Sequence, residues 1–557
     1  MTKTSRRTFI ASTGAFVALS ARGAEKPLWK AGIVTDTHVG RTRASCELVK
    51  KACDLFAEMD IDLFVNCGDI ADHHYPEVYP ILKELTDAAF PAKPPKKIWV
   101  YANHDHIDRQ DEPWENVMAD VRRLLSATNG FYDIIDMHGY PLVVFPQWID
   151  IPRAERMLKD VCESPKYSGK PVFVLDHVPP EDTTDNSVTW GSQSRRDLYS
   201  RFPRIIDICG HAHGSLRSEL NIWQGEFTAV NMGCLHRWAG HAVGAAPESK
   251  KNFGAVVMEV FTDRVVFRRF DVRTKEEYGA DEPWTIPLPF DSATAPYRRE
   301  RTTANEPVPQ FPKGAILSLK AIAPFTAVEM SFPRAEGKHG TYIYKVQVTT
   351  LDGEPLSRID LFGQFYLPES ERASTLVRSL SAGYFDPGKR YRVRITPCNC
   401  FGKGGCPIEA DFTAPEATGF ETLFESIDPM KECSFMTELE GGKRIIAKDG
   451  WYEIGARNQR LEFPDGIWTQ KGRYRFTVDM ETKQAGPRIW TLVLRNPKPK
   501  IKNANARIAT PRGDSGKTRY VIEFNQTDPR KSYYLLVREG GKGRIRFSKV
   551  KIERSVP

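Results

Sequence analysis

Five short stretches of this 557-residue chain carry side chains suited to binding metal cations. They are Asp36-Thr37-His38, Gly68-Asp69, Asn103-His104-Asp105, His177 and Gly210-His211-Ala212-His213. Their donors are carboxylate oxygen, amide oxygen and imidazole nitrogen, a set that suits Mn, Fe, Zn or Ni. No thiolate is among them, which argues against a structural zinc site. A single carboxylate can bridge two ions, and two ions about 3.5–4 Å apart clamp the attacking and leaving oxygens of an in-line displacement.

Each stretch directly follows a short apolar run: Ile33 to Thr35, Leu63 to Cys67, Ile98 to Ala102, Val172 to Asp176 and Ile205 to Cys209. These runs read as buried strands. Between them, Ser45 to Met59, Trp114 to Leu125 and Ala154 to Cys162 place apolar residues at helical spacing. Strands alternating with helices predict an α/β layered domain over residues 28–272. Open α/β sheets bind ligands at the carboxyl ends of their strands, so the five strand ends are expected to converge on one crevice. Phe227 to Asn231, Gly254 to Phe261 and Arg264 to Asp271 read as antiparallel strands closing a second sheet.

In type and order, the five motifs resemble those of the calcineurin-like metallophosphoesterases: D-x-H, G-D, G-N-H-[DE], H and G-H-x-H. The resemblance covers about residues 28–272 and departs at Ala102, where glycine is usual, which bears on loop geometry. It implies a four-layer α/β sandwich with helices outside two sheets. It also implies two divalent or trivalent ions (Mn, Fe or Zn), one held by Asp36, His38, Asp69 and His213. The other is held by Asp69, Asn103, His177 and His211, with Asp69 bridging. His104 corresponds to the family's non-ligand histidine near the scissile phosphate, with Asp105 expected to hold its ring. The implied activity is hydrolysis of phosphomonoesters or phosphodiesters by a metal-bridging hydroxide, with His104 assisting the leaving group. Purple acid phosphatases carry a ligand tyrosine three residues after the Gly-Asp aspartate. Here that position is Asp72, which excludes a tyrosinate-to-iron bond there.

Substrate choice is expected from loops around the crevice: His106 to Glu115, Pro179 to Ser194 and His236 to Lys251. Candidate substrate contacts are His106, Trp190, His236 and Trp238, with Trp114 a further stacking candidate beside a packing role. A narrower reading is a cyclic-nucleotide or nucleotide phosphodiesterase. A reading of another class is a glycan-binding or adhesion protein with an inert hydrolase domain. No glycine-rich loop of the P-loop type occurs, so nucleotide-driven work is not indicated, and no specific nucleic-acid partner is indicated either.

The rest of the chain supplies context. At the N-terminus, Thr4-Ser5-Arg6-Arg7-Thr8-Phe9-Ile10 precedes a short apolar stretch and small residues. Residues 1–24 therefore resemble a twin-arginine export signal, whose apolar stretch from Phe9 to Ser20, about 12 residues, is too short to span a bilayer as a helix, and imply a periplasmic or secreted protein with no membrane span once mature. Residues 273–312 are rich in proline and charge and read as a linker or wrapping segment. Residues 313–415 are strand-like. Their run Pro387 to Ile395 resembles the later strands of a fibronectin type III sandwich, in which Tyr391 would tether a corner. Residues 418–557 resemble a jelly-roll module of the carbohydrate-binding kind. There Trp451, Tyr452, Trp468, Trp490, Tyr533 and Tyr534 are read as core aromatics or as a platform for polysaccharide. The formal net charge of +8 conceals an excess of +11 from residue 417 onward, 28 Lys and Arg against 17 Asp and Glu. That excess suits either a solvated basic surface or acidic partners. Ten cysteines are too few for a disulfide framework at this length; a local bridge is expected only among Cys398, Cys400 and Cys406.

Overall fold

The computed structural model describes residues 25–235, 253–302, 307–338, 340–365, 367–416, 419–437, 444–454, 459–464, 466–483, 488–495, 516–527, 532–538 and 543–556. Its first part is built on two mixed sheets. In the first sheet, β1 (Trp29–Val34), β2 (Leu63–Asn66) and β3 (Lys96–Trp99) run parallel. The helices α1 (Glu47–Glu58), α2 (Val78–Ala88) and α3 (Trp114–Leu125) follow these strands in turn. The second sheet contains β4 (Asp133–Met137), β5 (Tyr140–Val144), β6 (Val172–Leu175), β7 (Ile205–Cys209), β8 (Ile222–Gln224) and β9 (Thr228–Asn231). Its order is β4-β5-β6-β7-β9-β8, with β5, β6, β7 and β9 parallel. Helices α4 (Ile151–Glu163), α5 (Ser187–Trp190) and α6 (Gln193–Tyr199) belong to this half.

The two-residue period of a strand sorts side chains between layers. Ala31, Ile33, Leu63, Val65, Phe173, Leu175, Ile206 and Ile208 meet in one core between the sheets. On the alternate positions, Val34, Phe64 and Trp99 pack with α1, α2 and α3. Val172, Val174 and Ile205 pack with α4 and α6. The result is the expected four layers, helix–sheet–sheet–helix.

The placement of the closing strands differs from the sequence reading. β10 (Gly254–Val260) pairs antiparallel with β1, and β11 (Arg264–Asp271) pairs antiparallel with β10, so both extend the first sheet. β9 instead lies parallel to β7 in the second sheet. The reason lies in burial. Val256, Met258 and Val260 enter the inter-sheet core while Ala255 and Val257 face the helices, so β10 is apolar on both faces and belongs mid-sheet. Residues 273–302 wrap rather than link. β12 (Glu277–Tyr278) and β13 (Trp284–Pro287) both pair with β11, and Trp284 is buried with its indole N–H on the Glu219 carboxylate.

Two all-antiparallel units follow. A three-stranded sheet (318–322, 327–333, 375–381) and a four-stranded sheet (343–350, 355–362, 390–398, 408–413) enclose one core. The Tyr391 hydroxyl accepts the Asp386 backbone N–H at 2.7 Å, the corner tether expected of it. The last unit has a five-stranded and a four-stranded sheet around a second core. Trp451, Tyr452, Trp468, Tyr533 and Tyr534 are all buried, none more than 8% exposed, so they form no face for a sugar ring. The Trp490 side chain lies outside the described residues, as does the signal at 1–24. Cys398, Cys400 and Cys406 are free thiols, with Cys406 exposed and the other two buried, so the local bridge is not formed. Among the described residues no helix is long and apolar enough to cross a membrane.

Candidate metal centre

The loops after β1 and β2 are fastened together by backbone hydrogen bonds from Asp36 to Gly68, His38 to Asp69 and Val39 to Ile70. These bonds bring two acidic strand ends into contact. Asp36, His38, Asp69, His211 and His213 all adopt left-handed backbone, with φ between 40° and 63°. Such conformations cost non-glycine residues on the order of 1–3 kcal/mol each and persist only where surroundings over-determine them. Glycine is required at two neighbouring positions. Gly68 has φ +102°, and a Cβ there would meet His177 Nδ1 at 2.5 Å; a Cβ on Gly210 would meet Thr35 Oγ1 at 2.0 Å and Asp36 Oδ2 at 2.5 Å. Ala102 is not among the left-handed residues, so its methyl group is accommodated and the departure from glycine leaves the loop intact.

Two donor groups share Asp69: Asp36, His38, Asp69 and His213 form one, and Asp69, His177 and His211 the other. A third, His38, Asp72 and His104, adjoins the first through His38. Asp36 Oδ2 accepts from Thr35 Oγ1 and from the His211 N–H. Its Oδ1 faces His213 Nε2 at 2.9 Å, His38 Nε2 at 3.7 Å and His177 Nε2 at 4.0 Å. Asp69 Oδ1 accepts the His104 N–H, and its Oδ2 lies 3.3 Å from His177 Nε2 and 3.7 Å from His38 Nε2. The Nε2 atoms of His38 and His213 are 3.1 Å apart, as are His211 Nδ1 and His177 Nε2. One ion bound at about 2.0–2.1 Å to both nitrogens of such a pair would put them roughly 3.0–3.4 Å apart. His177 Nδ1 donates to the Cys67 carbonyl at 2.7 Å, which commits Nε2 to the cluster. Asn103 Oδ1 is buried and accepts no hydrogen bond, as an amide reserved for a cation would, and the N–H of the next residue, His104, binds Asp69 Oδ1.

Electrostatics follow the same grouping. Burial pushes the Asp36 and Asp69 carboxyls up, but the surrounding imidazoles outweigh it and hold both below the usual range. Burial opposes a charge on His38 and His177, yet the adjacent carboxylates raise them to about 10 and about 9. His211 is pushed down to about 3 by burial and by the charge on His177.

Residues 30–215 match the family model of the calcineurin-like phosphoesterases. This segment is a calcineurin-like phosphoesterase domain. A comparison with curated proteins gives no match. Similar solved structures include a dimetal phosphatase from Danio rerio (11% identity, 47% of this chain and 100% of that one, TM-score 0.35). Others are a vacuolar protein sorting 29 from Cryptosporidium parvum (10%, 46% and 97%, 0.23) and the sulfate thiohydrolase SoxB from Thermus thermophilus (11%, 43% and 44%, 0.25). The phosphoesterase sheets continue past the matched segment, through β8 to β13.

The remaining site residues fall into place differently from one another. His104 Nδ1 donates to the Asp72 carbonyl at 2.8 Å, leaving Nε2 as the nitrogen free for chemistry. Asp105 does not hold that ring. Its carboxylate accepts the N–H groups of Ile70 and Ala71 and the Tyr79 hydroxyl, so it fixes the loop after Asp69 instead. The residue the sequence reading missed is Asp72, whose Oδ1 lies 3.3 Å from His38 Nδ1 and 3.8 Å from His104 Nδ1. The signal for it was position alone, three residues after Asp69. Trp190 stands edge-on to His211 at 5.8 Å with 41% exposure, which places it beside the donor cluster. His106 is turned to the Glu112 carbonyl and the Trp148 edge, and Trp114 stacks on Trp148, so both serve packing. His236 and Trp238 lie outside the described residues.

Proposed function

We propose that this chain is an exported two-metal phosphoesterase that hydrolyses phosphomonoesters or phosphodiesters. The observation that carries the reading is the membership of Asp69 in both donor groups. In this reading Asp36, His38, Asp69 and His213 hold one ion, and Asp69, Asn103, His177 and His211 hold the other. The donor set is all oxygen and nitrogen, and the orphaned Asn103 Oδ1 fits a ligand role. When bound, two such ions supply a water of lowered pKa and offset charge on the phosphoryl oxygens.

The chain's own residues do the rest. The Asp69 and Asp36 carboxylates fix the imidazole nitrogens at the crevice floor. His104, anchored through Nδ1, presents Nε2 to give a proton to the departing oxygen. Asp72 steadies both His38 and His104 from their outer nitrogens. Trp190 offers an apolar face to the organic part of the ester.

The test is depletion with a chelator followed by separate reconstitution with Mn, Zn and Fe. Rates are then measured on p-nitrophenyl phosphate, bis-p-nitrophenyl phosphate and cyclic AMP. Hydrolysis is expected to vanish on depletion and to return with at least one metal, and the three substrates separate monoesterase, diesterase and cyclic-nucleotide activity. Full activity after exhaustive depletion, or no ester cleaved by any reconstituted form, would refute the reading. Export is read from Arg6 and Arg7. Replacing both by lysine is expected to trap the protein in the cytoplasm, measured by cell fractionation, and unchanged export would remove this part of the proposal.

A further inference from the structure

Behind the cluster lies a buried polar network that takes no direct part in the proposed reaction. Arg195 on α6 is only 4% exposed. Its guanidinium grips Asp176 with a fork, Nε to Oδ2 at 2.6 Å and Nη2 to Oδ1 at 3.1 Å. The Tyr199 hydroxyl adds a third bond to Asp176 at 2.8 Å. Asp176 Oδ1 in turn accepts the backbone N–H of His177 at 2.6 Å. The same Nη2 reaches the Gln147 carbonyl at 2.8 Å. The Gln147 side-chain oxygen accepts the backbone N–H of Asn103 at 2.7 Å, and the Gln147 backbone N–H donates to the Tyr101 carbonyl at 3.1 Å. One guanidinium thus joins the ends of β3, β5 and β6, and through them the backbones of Asn103 and His177. The other half of the cluster is held differently. Asp36 and His38 are fastened by backbone bonds to Gly68 and Asp69, and among the described residues none of Arg195, Asp176 and Gln147 hydrogen-bonds to them directly.

We infer that Arg195 is a positioning residue that sets the separation of Asn103 and His177, and thereby the affinity for the ion those two share with Asp69 and His211. A planar, doubly donating fork is suited to the task because it fixes both distance and direction, which an ammonium does not. The inference rests on the two-ion reading. A purely structural role would weaken both ions together, whereas a positioning role weakens one.

Mn2+ titration of metal-depleted full-length protein decides between them, followed by electron paramagnetic resonance to tell a coupled pair from an isolated ion. Wild type is expected to take up two ions. Arg195→Met and Gln147→Leu are each expected to keep one ion at wild-type affinity and to bind the other about 10–100-fold more weakly, with the coupled signal replaced by an isolated one at equal metal. Gln147→Leu cuts only the Asn103 branch and leaves every Arg195 bond in place, so Arg195→Lys, which keeps the buried charge but not the fork, carries the test if Arg195→Met fails to fold, with the same loss at one ion expected. Two ions at unchanged affinity in Arg195→Lys and Gln147→Leu, or parallel loss of both, would overturn the assignment of Arg195 while leaving the two-ion reading intact. A wild-type protein that takes up no pair would remove that reading and this assignment together.

Discussion

An Asp69→Asn protein is expected to fold, to keep at most one Mn2+ ion tightly bound, and to hydrolyse phosphate esters at least about 100- to 1,000-fold more slowly than wild type. Asparagine has the shape of aspartate, and an amide oxygen can still accept the His104 N–H that Asp69 Oδ1 accepts. The fold therefore loses little at that atom. What changes is the second oxygen, which faces His177 Nε2 and His38 Nε2 and is the point where the two donor groups meet. A neutral amide cannot serve two cations as a shared carboxylate does. An amide nitrogen turned into the same space would set hydrogens against imidazole nitrogens that must point at a metal. Metal stoichiometry and kcat at saturating Mn2+ measure both consequences. Two tightly held ions with wild-type turnover in Asp69→Asn would sink the shared-carboxylate assignment.

The strand ends that carry the cluster were legible because a strand buried on both faces must be an unbroken apolar run, and such runs end abruptly where polar ligands begin. That logic located Asp36, Asp69, Asn103, His177 and His211 without any spatial information. It did not separate the roles of two neighbouring acids. Asp105 adjoins His104 in sequence, but its carboxylate turns back to the loop of Ile70 and Ala71, whereas Asp72, distant in sequence, reaches the His104 ring from across the crevice. Side-chain direction at a turn is set by tertiary contacts, which periodicity does not encode. The same limit hid Arg195. An arginine in a short helix reads as a surface residue, and only the fold shows it buried against Asp176. In the C-terminal unit the ambiguity ran between core and platform. Aromatics at alternating positions serve either purpose, and burial of Trp451, Trp468 and Tyr533 decides for the core.

Uptake of two ions by the metal-depleted protein at pH 7 is expected to release about two protons, and the joint affinity is expected to rise on the order of 100-fold per pH unit through the neutral range. The count comes from the imidazoles. Burial opposes the charge on His38, His177 and His213, yet the first two are raised to about 10 and about 9, and His213, with Asp36 Oδ1 2.9 Å from its Nε2, is raised well above its usual value. His38 and His213 face each other Nε2 to Nε2 at 3.1 Å, so one proton sits between them; that proton and the one on His177 are held at pH 7 without metal, and both must leave before the nitrogens can bind. His211, pushed down to about 3, is neutral already. The linkage has a definite sign. Groups with raised pKa stabilise the depleted fold fully below about pH 6.5 and lose that contribution as pH climbs through 9 and 10. The depressed Asp36 and Asp69 contribute above about pH 4 and lose it as pH falls. The depleted cluster is therefore most self-consistent between about pH 4 and 6.5, where protons compete hardest with metal. Stabilisation by metal should grow toward alkaline pH as the internal ion pairs fade. Calorimetric titration with Mn2+ in buffers of different ionisation enthalpy reads the proton number directly. A value near zero at pH 7 would mean that the imidazoles are neutral before metal arrives, and that the carboxylates of Asp36 and Asp69 do not govern them.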